Sequence, residues 1–171
     1  EFNDVCSKAS VDVYNRDSTN LNFLEDNSVD LVITSPPYAN TYDYYLYHKL
    51  RMYWLGYNVS DVKKGEIGSR DKHSSQRKDI DDFNIKIKEC FIQVQNKLKP
   101  EKHIVVIIGD SVIRKELYNA KEMMIRMGKE IGLKFLYSSS ENLKKTTRMF
   151  NPKFTNSQKD EHIMVFKNIK N

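Results

Sequence analysis

The sequence predicts an α/β fold with a mostly parallel sheet and an antiparallel last strand. Two apolar runs, residues 29–34 and 103–109, are nearly continuous rather than alternating, which is typical of strands covered on both faces. Helical patterns separate the predicted strands, as in right-handed strand–helix–strand units. The final two strands are joined by a polar stretch without a clear helix, so we expect them to pair antiparallel.

Five strands are predicted, at residues 11–15, 29–34, 103–109, 134–139 and 162–167. One helix begins after Asp79, a candidate cap, and stops at Pro100, while a second helix ends at Gly132, the expected left-handed cap. Their apolar positions at helical spacing are Phe83, Ile87, Phe91, Val94 and Leu98, then Leu117, Met124, Met127 and Ile131. We expect these positions, the methionines included, to pack in the core.

An aromatic segment, residues 38–56, contains six tyrosines and the only tryptophan of the chain. The positions that share one face of a predicted helix here are Tyr45, Tyr47, Leu50, Tyr53 and Trp54. This pattern favours a helix packed against the sheet. Tyr38 and Tyr42 lie nearer to two prolines and are better placed to line a cleft.

The composition indicates one domain spanning residues 1–171, with a polar loop at 58–80. The chain has 39% hydrophobic and 30% charged residues and a net charge of +5, which suits a polyanionic partner without requiring one. Basic residues gather at 63–78 and 142–159. Such stretches hold phosphates in some proteins and are solvated loops in others.

The cysteines and histidines are scattered rather than clustered. Cys6 and Cys90 have no CxxC or histidine spacing around them, so no metal site is predicted and both thiols are expected to be reduced. Cys90 falls on the apolar face of its helix. No apolar stretch reaches bilayer length and no signal peptide is recognisable, so we expect a cytoplasmic protein without a membrane partner. The chain starts at Glu1 instead of methionine, so we expect neighbouring sequence.

The run "LVITSPPYAN", residues 31–40, ends abruptly at two prolines. The proline pair lacks two backbone donors and fixes two φ angles, so the strand cannot continue its ladder there. The residue before a proline is held in extended geometry, which projects the Ser35 hydroxyl beyond the strand end. Pro36 and Pro37 therefore present a rigid backbone at a polar position.

Polar residues follow three of the predicted strands. These residues are Asp17, Ser35 and the pair Gly109–Asp110. Ligands of open α/β sheets bind beyond the carboxyl ends of the strands, so we expect a site at that edge. Gly109 and Asp110 also suit a tight turn into the next helix, with Asp110 or Ser111 as its cap, and aspartate after a strand is a common turn residue.

The segment "VDLVITSPPY" resembles the catalytic motif of the DNA amino-methyltransferases, which carry Asp, Asn or Ser followed by Pro-Pro and an aromatic residue. The upstream "NRDSTNLNFLEDNS" and the later "IIGDS" and "KDEHIMVFK" also resemble that family. The resemblance implies a Rossmann-like sheet, S-adenosylmethionine as cofactor and DNA as partner. It implies methyl transfer to an exocyclic amino group of a base.

The resemblance also implies residue roles. The Ser35 hydroxyl and the Pro36 carbonyl, held by Pro37, would accept the two N–H groups of the amino group, and Tyr38 would stack on a base flipped out of the duplex. Asp17, Ser18 and Thr34 would contact the cofactor, Asp17 at its adenine. Serine at the first motif position favours cytosine N4 over adenine N6. An RNA base amino-methyltransferase and a non-catalytic nucleic-acid-binding remnant remain the alternatives.

One part of the family pattern is missing from the sequence. The family holds the methionine part of its cofactor with an FxGxG turn, and the six glycines of this chain form no GxG. The chain therefore resembles only the half of the sheet that carries the catalytic motif, and the sheet would be incomplete. We predict that a second polypeptide or domain supplies the FxGxG motif and the first strands.

Overall fold

The computed structural model describes residues 9–69, 80–113, 116–142 and 159–170. The elements of this part of the chain are β1 (Val29–Thr34), α1 (Tyr44–Tyr47), α2 (Lys49–Trp54), α3 (Val59–Gly65), α4 (Ile80–Lys97), β2 (Leu98–Gly109), β3 (Ser111–Ile113), β4 (Glu116–Tyr118), α5 (Ala120–Ile131), β5 (Leu133–Asn142) and β6 (Asp160–Asn168). A four-stranded sheet forms the centre, and β3 and β4 form a separate small hairpin.

The sheet confirms the predicted fold class. Its strand order is β1-β2-β6-β5, with β1 parallel to β2 and with β6 antiparallel to both of its neighbours. Strands β1, β2 and β5 therefore run in one direction, and only the last strand is reversed. Four of the five predicted strands lie within these elements.

The predicted strand at residues 11–15 is wrong. This segment has no strand partner among the described residues, and Val11 and Val13 are 83% and 91% exposed. Alternating valines favour extended backbone, but a strand is stable only when a neighbour pairs with it and a core covers one face. Neither condition is met here.

The two long helices largely follow the prediction. Helix α4 ends at Lys97, so Leu98 and the predicted stop Pro100 lie in β2 instead. The candidate cap Asp79 lies outside the described residues. Helix α5 starts after Asn119, whose side chain accepts from the Glu122 N–H, and ends at Gly132 with φ +87°. Leu117 lies in β4 instead of the helix, because the β3–β4 hairpin precedes α5. None of the described helices is long and apolar enough to cross a membrane.

The core lies between one face of the sheet and helices α4 and α5. Its largest fully buried apolar side chains are those of Ile87, Leu98, Ile104, Val106, Ile108, Met124, Met164 and Phe166. Met127 and Cys90 are buried as predicted. Alternate residues of β2 and β6 point into this core, so each strand has one inward and one outward row.

The opposite face of the sheet is open in the described part of the chain. Its apolar residues include Leu31, Ile33, Tyr137 and Ile163, which are 52%, 67%, 64% and 49% exposed. The prediction that 29–34 and 103–109 are covered on both faces is thus wrong for the described residues. Parallel strands are normally covered on both sides, so this face is an unusual surface.

The aromatic segment does not pack on the sheet as predicted. It forms the two short helices α1 and α2, which have no buried residue. Tyr47, Leu50 and Trp54 are 70%, 75% and 91% exposed. The predicted loop at 58–80 is also partly wrong, because it contains α3, while residues 70–79 lie outside the described part.

Candidate active site

Strand β1 ends at the motif Ser35-Pro36-Pro37-Tyr38, as the sequence predicts. Thr34 is the last strand residue, Ser35 is exposed, and Pro36 is buried. Because the prolines have no N–H group, nothing continues the β1 ladder beyond Thr34. Ser35 is therefore exposed at the carboxyl edge of the sheet, on a rigid support.

Hydrogen bonds connect the residues that follow the motif to two other segments of the chain. The Asn40 N–H donates to the Gly68 carbonyl over 2.9 Å, and the Asn40 amide donates to the Val112 carbonyl over 2.8 Å. The hydroxyls of Thr41 and Ser111 lie 3.1 Å apart. These bonds hold the motif from its C-terminal side, next to the end of β2.

Tyr38 is half-buried and held at both its ring and its hydroxyl. A Cβ atom on Gly109 would lie only 2.8 Å from the Tyr38 ring, so this close approach requires glycine. The Tyr38 hydroxyl donates to Glu161 Oε1 over 2.5 Å. Burial, followed by the Glu161 carboxylate, raises the pKa of Tyr38, while a hydrogen bond with Ser35 acts in the opposite direction. The phenol is therefore neutral at physiological pH.

Asp110 follows the Gly109 that contacts the Tyr38 ring, and it joins β6 to the start of α5. Its Oδ1 accepts from the Ala120 N–H at the start of α5 and lies 3.2 Å from His162 Nε2. Its Oδ2 accepts from the Asp160 N–H. The Ser140 hydroxyl lies 2.8 Å from the other ring nitrogen of His162. The predicted tight turn into a helix capped by Asp110 or Ser111 is wrong, because β3 follows directly and Asn119 is the cap residue of α5. The Asp110 carboxylate instead accepts from the first N–H of that helix across the hairpin.

The charge of Asp110 is expected to stabilise the fold. Burial alone would raise the pKa of Asp110, but hydrogen bonds from His162 and Ala120 lower it below the ordinary value of 3.8. A lowered pKa means that the folded state favours the carboxylate, so this stability is present above pH 4 and is lost as the pH falls further. We expect Asp110→Asn to reduce the free energy of unfolding by about 1–3 kcal/mol at pH 7. Urea unfolding at pH 7 and pH 3 measures this loss, and an equal loss at both values contradicts a role for the charge.

Two buried polar atoms near the motif have no hydrogen-bond partner among the described residues. These atoms are Asn40 Oδ1 and Ser69 Oγ. Their segments are in contact, because the Asn40 N–H donates to the carbonyl of Gly68. Buried oxygens without partners are costly, so both are available to a donor from water or from a ligand.

A cavity among the described residues lies beside the motif rather than within it. Its volume is about 270 Å³, and it is lined by residues 64–68 together with Asp82, Phe83, Ile85, Lys86 and Glu89. None of residues 34–38 lines this cavity. It is connected to the segment after the motif through Gly68, whose carbonyl accepts from the Asn40 N–H. We place the candidate site at the end of β1, because the exposed acceptor and the rigid backbone occur there.

Asp17 and Ser18 lie elsewhere. The Asp17 carboxylate accepts from the N–H and the hydroxyl of Thr19, and these bonds lower its pKa. The Ser18 hydroxyl lies 3.2 Å from the Cys90 sulfur in the middle of α4. No hydrogen bond among the described residues joins either side chain to residues 34–38.

Sequence reasoning missed Glu161 as a site residue. Its only local signal is the acidic pair Asp160–Glu161 before the apolar residues of β6. Its contact with Tyr38 spans 123 residues, so it depends on the strand order and on the register of β2 with β6. No spacing rule in a single sequence reports such a contact.

The sheet order, the single reversed strand and the Ser-Pro-Pro-Tyr exit of β1 define an α/β methyltransferase fold. The chain belongs to the N6/N4 DNA methylase family, whose family model, described as DNA methylase, matches residues 29–171. The Type II methyltransferase M.BsoBI of Geobacillus stearothermophilus is 32% identical over 63 residues, which covers 35% of this chain and 12% of that protein.

Solved structures share the fold at low sequence identity. A candidate DNA modification methylase from Thermus thermophilus, complexed with S-adenosyl-L-methionine, is 19% identical with a TM-score of 0.56, and the match covers 91% of this chain and 54% of that one. The cytosine-N4-specific PvuII DNA methyltransferase is 20% identical with a TM-score of 0.53, and the match covers 91% of this chain and 48% of that one. This chain thus spans about half the length of these solved chains.

Proposed function

We propose that this chain carries the catalytic motif of a DNA methyltransferase that modifies an exocyclic amino group, with cytosine N4 favoured over adenine N6. The observation that carries the proposal is that the exposed Ser35 directly precedes the buried Pro36 at the carboxyl end of β1. Family membership and the cytosine-N4 specificity of PvuII methyltransferase add support.

The proposed chemistry uses two fixed acceptors. The lone pair of an exocyclic amino nitrogen is delocalised into the base, so the nitrogen is a poor nucleophile. When the Ser35 hydroxyl and the Pro36 carbonyl accept its two N–H groups, the lone pair turns out of the ring plane toward the electrophile. A nitrogen–carbon bond then forms as a sulfur–carbon bond breaks, and the product ammonium releases a proton. Position and orientation provide most of the rate gain.

The residues fit one end of the proposed cofactor. S-adenosylmethionine supplies the electrophilic methyl group when it is bound. Thr34 and the motif would border that group, and the unpartnered Asn40 Oδ1 and Ser69 Oγ leave polar positions open nearby. No GxG turn exists in the sequence to hold the methionine part. Asp17 and Ser18 are proposed cofactor contacts that would need a ligand reaching α4.

We propose that a second polypeptide or domain completes the site. The open apolar sheet face and the outer edge of β1, which has no partner strand among the described residues, support this requirement. The missing half would add a strand parallel to β1 and a layer of helices over the open face. The FxGxG turn would come with it.

Calorimetric titration of S-adenosylmethionine tests this function. We expect no binding to the chain alone and binding to the chain co-expressed with the product of an adjacent reading frame that contains the FxGxG turn. Methylation of a DNA library and of an RNA pool by the pair then identifies the substrate. Transfer to RNA alone would favour an RNA enzyme, and no binding by either preparation would favour a non-catalytic remnant.

A further inference from the structure

Tyr38 lies across the ends of two neighbouring strands. Gly109, the last residue of β2, and Glu161 of β6 are direct partners in the antiparallel register. The Tyr38 ring covers Gly109, and its hydroxyl reaches the Glu161 carboxylate on the adjacent strand. Two separate contacts, one at the ring and one at the hydroxyl, therefore fix where this side chain lies.

The Glu161 backbone is itself held in place. Asp110 makes two hydrogen bonds with the Asp160 backbone, one through its own N–H and one through its carboxylate. On the other side of Glu161, His162 is buried between Asp110 and Ser140. The residues that flank Glu161 are thus tied to β2, α5 and β5, so its carboxylate is presented from a rigid position.

We propose that Glu161 is a positioning residue that sets the orientation of the Tyr38 ring for the target base. This inference rests on the proposed function, in which Tyr38 stacks on that base. A tyrosine side chain at the end of a proline turn can adopt several rotamers. Fixing one of them only when the base binds would cost side-chain entropy and would lower the affinity for the base in its aligned position. Because Glu161 holds the hydroxyl, the ring is ordered before the base enters.

A purely structural contact is the competing explanation. It predicts that loss of the Tyr38–Glu161 bond lowers thermal stability but leaves the turnover of the folded enzyme unchanged. The positioning role instead predicts a lower kcat at saturating substrates with little change in KM for DNA. The two roles therefore separate in kinetics recorded well below the unfolding temperature.

The test uses Tyr38→Phe, Glu161→Leu and the double variant, in the complex that binds cofactor. Glu141→Leu is the matched control, because Glu141 is the direct partner of Glu161 on β5 and its replacement makes the same change one strand away. Each single change is expected to lower kcat about tenfold through misalignment. The double variant should match Tyr38→Phe, because the hydroxyl that Glu161 holds is already absent there. Glu141→Leu should retain the kcat of the parent.

A second measurement does not depend on activity. Fluorine NMR of the 3-fluorotyrosine-labelled chain identifies the Tyr38 signal by its loss in Tyr38→Phe. Glu161→Leu should move that signal toward those of exposed tyrosines, and Glu141→Leu should leave it in place. The positioning role is overturned if a change at Glu161 leaves the Tyr38 signal or the kcat unchanged. It is also overturned if the loss of kcat in the double variant equals the product of the two single losses. Absence of methyl transfer by the parent complex counts against the proposed function instead, and the NMR result still decides whether Glu161 orders Tyr38.

Discussion

Replacing Ser35 with alanine is expected to lower the kcat of methyl transfer on the order of 100-fold or more. The hydroxyl is one of only two proposed acceptors for the amino group, and loss of one preorganised partner at a reacting atom typically costs two to three orders of magnitude. Ser35 is exposed, so its removal leaves no cavity in the core. Single-turnover methylation by the complex measures the effect, and the unfolding temperature should stay within about 2 °C.

Two further variants make this result specific. Ser35→Asp keeps an acceptor at the same position and is expected to retain part of the activity, because aspartate occurs at this position of the resembling motif. Ser60→Ala removes an exposed hydroxyl in α3 and should have no effect. If Ser35→Ala and Ser60→Ala have equal kcat values, Ser35 takes no part in the reaction.

The exit of β1 could be predicted from the sequence because its causes are local. An apolar run forms a strand, and a proline pair ends it whatever surrounds it. The position of Ser35 at a strand end therefore required no knowledge of the rest of the fold. The reversed last strand was predictable for a similar reason, since the sequence between the last two predicted strands is polar and has no clear helical pattern.

Other features depend on distant parts of the chain. The contact of Tyr38 with Glu161 and the need for glycine at 109 follow from strand order and register, which pattern and propensity do not encode. The strand predicted at 11–15 failed because alternation shows which face could be buried but not whether a partner strand exists. The aromatic positions around Trp54 likewise form an apolar face that no described element covers.

The open sheet face provides the second large prediction. Ile33 lies in β1 on that face and is 67% exposed, so Ile33→Lys should leave the unfolding temperature of the isolated chain nearly unchanged. In a complex that covers the face, the same lysine would be buried without a partner charge. A penalty of about 3 kcal/mol or more is expected, which weakens association at least about 100-fold.

Light scattering of the co-expressed pair measures association, and titration of S-adenosylmethionine measures the site that the pair forms. Ile85→Lys is the matched control, because Ile85 is 54% exposed but lies on α4, on the covered side of the sheet. Loss of both association and cofactor binding in Ile33→Lys alone would mean that the missing half docks on β1 and its open face. Intact association in both variants would exclude that face, and the exposed aromatic surface of α1 and α2 would then be the next surface to test, because its large apolar side chains are equally uncovered.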